Sequence, residues 1–303
     1  DQVSVFDNSP DKQPELVWPR AKGWITFVSG SIGRLAVRNL TYRRPNEEPV
    51  QITALAAAAV WKNSSLSVSD LRLTSSFGVL EGSVLAGFHR PLLKAKLAAT
   101  PAHPAAGVDS IRLDAAFGPG KKPGEMKGSL QIHGLQNTRP VLRISSDIGM
   151  TPAGLTFAKI LLRRGNRPGS IAGEGFLAFK GPTPHAALKV QAENMDLSDE
   201  LKVPAKFNGS LLLDGTGRQY QGRVVLSNTA DTRHAFRLAG DYSGNAEGAT
   251  LSPIQATALG GSLNGRLKIG WTDGLKISGA LSGKNLNPAK WNTDWAGIVH
   301  FDL

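Results

Sequence analysis

A period of two runs through this chain and restricts it, over most of its length, to β-strands. Gly261-Ser-Leu-Asn-Gly-Arg-Leu-Lys-Ile-Gly-Trp271 sets Leu263, Leu267, Ile269 and Trp271 on one face and Asn264, Arg266 and Lys268 on the other. Gly274-Leu-Lys-Ile-Ser-Gly-Ala-Leu281 repeats the pattern with Leu275, Ile277 and Leu281. Phe236, Leu238 and Tyr242 share a face, as do Ile111, Leu113, Ala115 and Phe117, and as do Leu188, Val190 and Ala192. Successive strand side chains point to opposite sides, so each run is a strand with one apolar and one wet face.

Turn formers separate the runs: Asp214-Gly215, Asp273-Gly274, Pro119-Gly120 and Ser243-Gly244-Asn245. One phrase recurs. Gly-Ser-aliphatic begins at Gly30, Gly82, Gly128, Gly169, Gly209 and Gly261, with gaps of 52, 46, 41, 40 and 52 residues. A recurring phrase marks an array, and these gaps fit units of three or four strands, each phrase opening an alternating run. Helical signals are few. Thr151-Pro152 followed by Leu155, Ala158, Leu161 and Leu162 reads as a capped helix, or as a strand with Thr156, Ala158, Ile160 and Leu162 on one face. The neighbouring strands favour the second. Asn287-Pro288-Ala-Lys-Trp291 reads as one helical turn, and 118–124 as the main loop.

Charge narrows the partners. Lys and Arg number 35 against 24 Asp and Glu, a net charge of +11. The excess is spread evenly, +6 in residues 1–150 (18 − 12) and +5 in residues 151–303 (17 − 12). An even spread is that of strand-end and loop charges, not of a nucleic-acid-binding arm. No run of apolar residues approaches the roughly 20 of a membrane-spanning helix. The chain is expected to be a piece of a longer protein, with any signal or anchor outside it.

Catalytic signatures do not assemble. With no Cys, there is no disulfide framework, thiolate metal site or cysteine nucleophile. The six His are at positions without metal-motif spacing. Gly173-Glu-Gly-Phe-Leu-Ala178 matches a loose dinucleotide fingerprint, but lies inside an alternating run where that motif needs a strand-to-helix turn. The six Trp are scattered and read as core or rim packing. The expectation is a non-enzyme that uses no metal or cofactor.

Residues 1–22 read as an irregular N-terminal segment and 23–303 as one continuous β-region with a loop near 118–124. The fold class is all-β: an elongated repeat sheet curled into a U-shaped groove with an apolar interior. Curling hides one-faced strands from water, and an open apolar groove must bind something apolar. Its lining is placed at Leu188, Val190, Leu211, Leu213, Phe236, Leu238, Leu263, Leu267, Ile269, Leu275, Ile277 and Leu281, while Arg266, Lys268 and Lys276 face water.

The phrasing resembles a known family. Ala256-Thr-Ala-Leu-Gly-Gly-Ser-Leu-Asn-Gly-Arg-Leu-Lys-Ile-Gly-Trp271, then Leu275 to Trp291, then Asp294-Trp-Ala-Gly297, are similar to TamB-like proteins of the AsmA-like, bridge-like group of bacterial envelope proteins. Gly30 to Tyr42, Val60-Trp61, Leu66 to Leu73 and Gly173 to Pro184 share the style. The resemblance implies a taco-like β-groove in the periplasm of a Gram-negative bacterium, with the full-length protein anchored in the inner membrane. It implies outer-membrane biogenesis: passage of phospholipid, held by its acyl chains, between inner and outer membranes. The alternative it implies is assembly of outer-membrane barrels and autotransporters with a TamA-like barrel partner. A passive repeat stalk or adhesin is the third expectation.

Overall fold

The computed structural model describes residues 3–6, 28–43, 50–104, 107–165, 167–179, 183–217, 219–272 and 274–303. The fold is all-β and almost wholly antiparallel, and the chain divides into two units, Asp1–Ala158 and Lys159–Leu303.

The first unit carries β1 (Val3–Phe6), β2 (Gly30–Arg43), β3 (Val50–Lys62), β4 (Ser65–Ser75), β5 (Gly78–Gly87), β6 (Leu92–Pro101), β7 (Ser110–Pro119), β8 (Met126–Gln136), β9 (Arg139–Thr151) and the start of β10 (Gly154–Arg163). From β2 to β9 each strand pairs antiparallel with the next, whereas β1 lies parallel to β2. β1 falls inside the stretch 1–22 read as irregular; the rest of that stretch lies outside the described residues. Tight hairpins set the register. Asn63-Ser64 and Asn137-Thr138 both take positive φ at both residues, the conformation whose twist matches flanking strands. Phe117, Met126 and Ile148 are buried together, with Leu93, Ala115, Leu130, Met150, Leu155 and Phe157 packed around them.

The second unit continues with β11 (Ser170–Ala178), β12 (His185–Asp196), a one-turn helix α1 (Ser198–Leu201), β13 (Lys206–Thr216), β14 (Gln219–Asn228), β15 (Phe236–Asn245), β16 (Gly248–Ala258), β17 (Gly261–Gly270), β18 (Lys276–Leu286), a single 3-10 turn (Pro288–Lys290) and β19 (Val299–Asp302). β11 to β19 form an antiparallel meander. Register shifts in β12 and β18 sit at Asn194 and Asn285, both at positive φ, a conformation Asn tolerates better than most residues. The turn expected at Asn287–Trp291 is present, with the Asn287 side chain capping the Ala289 N–H at 3.1 Å. Among the described residues no helix is long and apolar enough to cross a membrane.

Several local expectations need correction. Residues 154–163 are a strand, as favoured, but Leu155 and Phe157 pack inward while Thr156 and Ala158 are exposed. Lys159, at φ 51°, interrupts the strand's simple alternation immediately afterwards. Asp214-Gly215 and Ser243-Gly244-Asn245 lie inside β13 and β15, and the chain turns one or two residues later. Both glycines lie against Tyr220, Gly215 beside its Cβ and Gly244 under its ring. The Gly-Ser phrases at 30, 169 and 261 sit at strand starts, whereas those at 82, 128 and 209 lie within strands. At Gly128 a Cβ would come within 2.7 Å of the Phe117 ring.

One polar side chain ties down an end of the second unit. Asn228 is 4% exposed. Its Oδ1 accepts from the N–H groups of Lys206 (2.9 Å) and Ala230 (3.1 Å), and its Nδ2 donates to the carbonyls of Pro204 (3.0 Å) and His234 (3.0 Å). Replacing it by Ala strands four backbone groups. Asn228→Ala is expected to lower stability by roughly 2–4 kcal/mol, read by urea unfolding, because buried polar groups left without partners carry their full desolvation cost. A loss under about 1 kcal/mol would show that water re-satisfies the loop.

Candidate functional site

The cross-strand pairings of the second unit show which side chains share a face. Val190 stands opposite Leu211 and Leu188 opposite Leu213. Leu211 faces Val224, and Leu226 faces Leu238. Leu263 lies opposite Ala256, Leu267 opposite Leu251, and Ile269 opposite Ile277. Ten of the residues placed in the groove from the sequence, Leu188, Val190, Leu211, Leu213, Phe236, Leu238, Leu263, Leu267, Ile269 and Leu281, lie on strands and are half-buried. Ile277 is on β18 but 63% exposed, and Leu275 precedes the strand and is 73% exposed. Arg266, Lys268 and Lys276 are exposed on the other parity.

The apolar face has members that alternation alone does not pick out. Val224 and Leu226 on β14 are masked by the run Val224-Val225-Leu226, which reads as unpatterned. Leu251 and Ile254 on β16 are three residues apart because a register shift intervenes, and Ile254 is among the most buried residues of the unit. Phe207 joins them, its ring 6.1 Å from that of Phe236. Signals exist in each case: Tyr220 and Gly222 continue the β14 parity, and Pro253 marks a break in β16.

Glycines lie among the large side chains on this face. Gly173 stands opposite Val190, Gly175 opposite Leu188, Gly222 opposite Leu213 and Tyr242, Gly265 opposite Leu281, and Gly279 opposite Leu267. The larger partner leans across: a Cβ at Gly173 would meet Val190 Cγ1 at 2.7 Å, and one at Gly279 would meet Leu267 Cδ2 at 2.9 Å. Two tyrosines use the same device over longer spans. The Tyr242 ring lies over Gly222 and its hydroxyl donates to the Leu212 carbonyl on β13 at 2.8 Å. The Tyr220 ring lies over Gly244 and its hydroxyl donates to the Gly248 carbonyl on β16 at 3.3 Å. Each ring thereby crosses the strand paired with its own, reaches the next one, and covers backbone that glycine leaves bare.

Residues 169–303, β11 to the end of the chain, match the family model of the TamB N-terminal domain. Residues 169–303 are TamB-like. No curated protein and no solved structure matches the chain.

The TamB-like segment offers a direct test of its glycine packing. Burial, then the neighbouring Tyr220, raises the pKa of the Tyr242 phenol above the usual tyrosine value. A raised phenol pKa means the folded state holds this proton more tightly than the unfolded chain. Its contribution to stability is intact below the unfolded value near 10 and is lost as pH rises through the folded value. In Gly222→Ala the new methyl would overlap the Leu212 carbonyl oxygen and lie 2.6 Å from the Tyr242 hydroxyl bonded to it, so the β13–β14 backbone and the ring must both shift. The expected result is a loss of roughly 1–3 kcal/mol together with a return of one tyrosine to ordinary titration, followed by ultraviolet absorbance. Unchanged titration would mean the ring does not rest on Gly222.

Proposed function

We propose that this chain is a lipid-handling part of a TamB-like protein, holding phospholipid acyl chains on their way between the inner and outer membranes. The carrying observation is the apolar parity shared by every strand from β11 to β18, without a charged side chain among its paired members. On this reading the face curls into a U-shaped groove, acyl chains lie within it, and headgroups stay at the wet rim near the lysines and arginines. Each buried CH₂ is worth about 0.8 kcal/mol. A face that repeats the same contacts binds a chain along its length and lets it slide, because one position resembles the next. No bond is made or broken and no cofactor is needed. The setting is the periplasm, with an inner-membrane anchor elsewhere in the full-length protein.

A second reading, assembly of outer-membrane barrels with a TamA-like partner, draws on one observation. β19 pairs with β18 only from Ser282 to Leu286, so the outer edge of Ile277–Ala280 has no strand partner among the described residues. An open edge of this kind can accept a client strand by β-augmentation. Crosslinks from Ser278 to a client strand would favour this reading.

The lipid reading is tested by lipid extraction and native mass spectrometry of the purified chain, which should recover phospholipid. The paired genetic test is envelope-integrity complementation of a deletion strain by the full-length protein with Leu211→Asp, Ile269→Asp or Arg266→Asp. The first two are expected to fail at normal protein level, since a carboxylate against acyl chains costs several kcal/mol or stays neutral. Arg266→Asp, on the wet face, should complement. The reverse pattern would overturn the parity, and disappearance of Ile269→Asp from the cell would point to a closed core.

A further inference from the structure

The wet face of the second unit is locally concave. Where β12 to β18 approach the turns after Thr216, Asn245 and Gly270, they surround a cleft of about 990 Å³. Its floor is a single cross-strand row: Asp214 opposite Gln221, Gln221 opposite Ser243, Ser243 opposite Thr250, and Thr250 opposite Lys268. A carboxylate, an amide, two hydroxyls and an ammonium thus stand in line. At about 4.8 Å per strand the row spans roughly 19 Å, close to the length of a short chain of sugar rings.

The flanks add to this. At one end the Asp214 carboxylate is 3.2 Å from His185 Nε2. At the other, Lys276 stands opposite Gly270, diagonal to Lys268, so two ammonium groups share that flank, and Glu247 beside Trp271 also lines the cleft. Asn245, which lines the cleft, accepts at Oδ1 from the N–H groups of Glu247 and Gly248. Trp271 anchors its indole N–H on the Ala246 carbonyl at 2.7 Å and stays 44% exposed beside the cleft.

Small-molecule sites are mostly apolar with a few polar groups. This lining is mainly polar: amides, hydroxyls and charges, with Trp271 and Tyr220 as its large aromatic rings and Ile269 and Ala249 as its aliphatic members. Such a surface suits a ligand covered in hydroxyls that also has a C–H face to lay on indole. We infer that the cleft is a saccharide-binding site, and that Lys268 and Lys276 select a chain carrying acidic groups, such as uronates. The polar row lies on the parity opposite the apolar face, while Tyr220, Ala249 and Ile269 of the apolar parity also line the cleft at this end.

The test is isothermal titration of the purified chain at low salt with three probes: a uronate tetrasaccharide, a neutral glucose tetrasaccharide and tripolyphosphate. The uronate chain is expected to bind best. Lys268→Gln with Lys276→Gln should weaken it about tenfold, or 1.4 kcal/mol, and change the neutral chain little. Gln221→Ala with Asn245→Ala should weaken both, and Lys189→Gln, on the wet face outside the cleft, neither. On the unaltered protein the Trp271 indole N–H resonance, assigned through Trp271→Phe, should move with the tetrasaccharide and not with tripolyphosphate, which keeps the test valid if a variant misfolds. Vesicles bearing a uronate-headed glycolipid, set against the free tetrasaccharide, show whether the glycan arrives membrane-borne or soluble; binding of either supports the site. No binding of any saccharide, tripolyphosphate binding as tightly as the uronate chain, or unchanged affinity in both double variants would overturn it.

Discussion

Parity is the constraint on which the rest of the second unit depends. A strand has two faces, and a slip of one residue exchanges them completely. β11 to β18 keep their apolar members aligned through many cross-strand pairings, so every connection must return the chain in the right phase. The hairpin at Leu259-Gly260, with positive φ at both residues, does this in the smallest space available. Where phase would drift, a register shift restores it, as at Asn194 and Asn285.

Alternation makes much of this legible from the residues alone. It reads β15 and β17, and the apolar partners on β12, because large apolar residues recur there at every second position between polar or charged ones, with glycine filling some of the apolar positions. It fails where packing replaces it. The glycines at 215 and 244 look like turn signals in one dimension, and only the third shows Tyr220 lying against both. In β16 the register shift between Leu251 and Ile254 changes the spacing from two to three, which no fixed period detects. Leu275 continues the pattern of β18 in sequence but precedes the strand, because pairing with β17 starts at Lys276. The polar cleft escapes a linear reading for another reason: its residues come from seven strands, and no motif joins Asp214 to Lys268.

Glycine opposite a large residue also decides what kind of surface results. If every apolar position held Leu or Ile, side chains would crowd along each cross-strand row and stand upright. With Gly173, Gly222, Gly265 and Gly279 interposed, neighbours fold down over bare backbone. A Leu over a glycine fills space sideways and leaves less relief above the sheet. Such a face has little to catch an acyl chain at any one position, which is the property a sliding ligand requires.

The two faces then call for different recognition physics. On the apolar side, affinity accumulates with length and carries no register, since dispersion and the hydrophobic effect are not directional. On the polar side, hydrogen-bonding groups stand at the fixed interval between strands, and direction matters for each. A ligand with an irregular repeat satisfies one or two of the groups in the row from Asp214 to Lys268 and leaves the others to water. One whose repeat matches the strand interval meets them all at once. The same backbone spacing that is irrelevant to an apolar chain therefore becomes a ruler for a chain of rings.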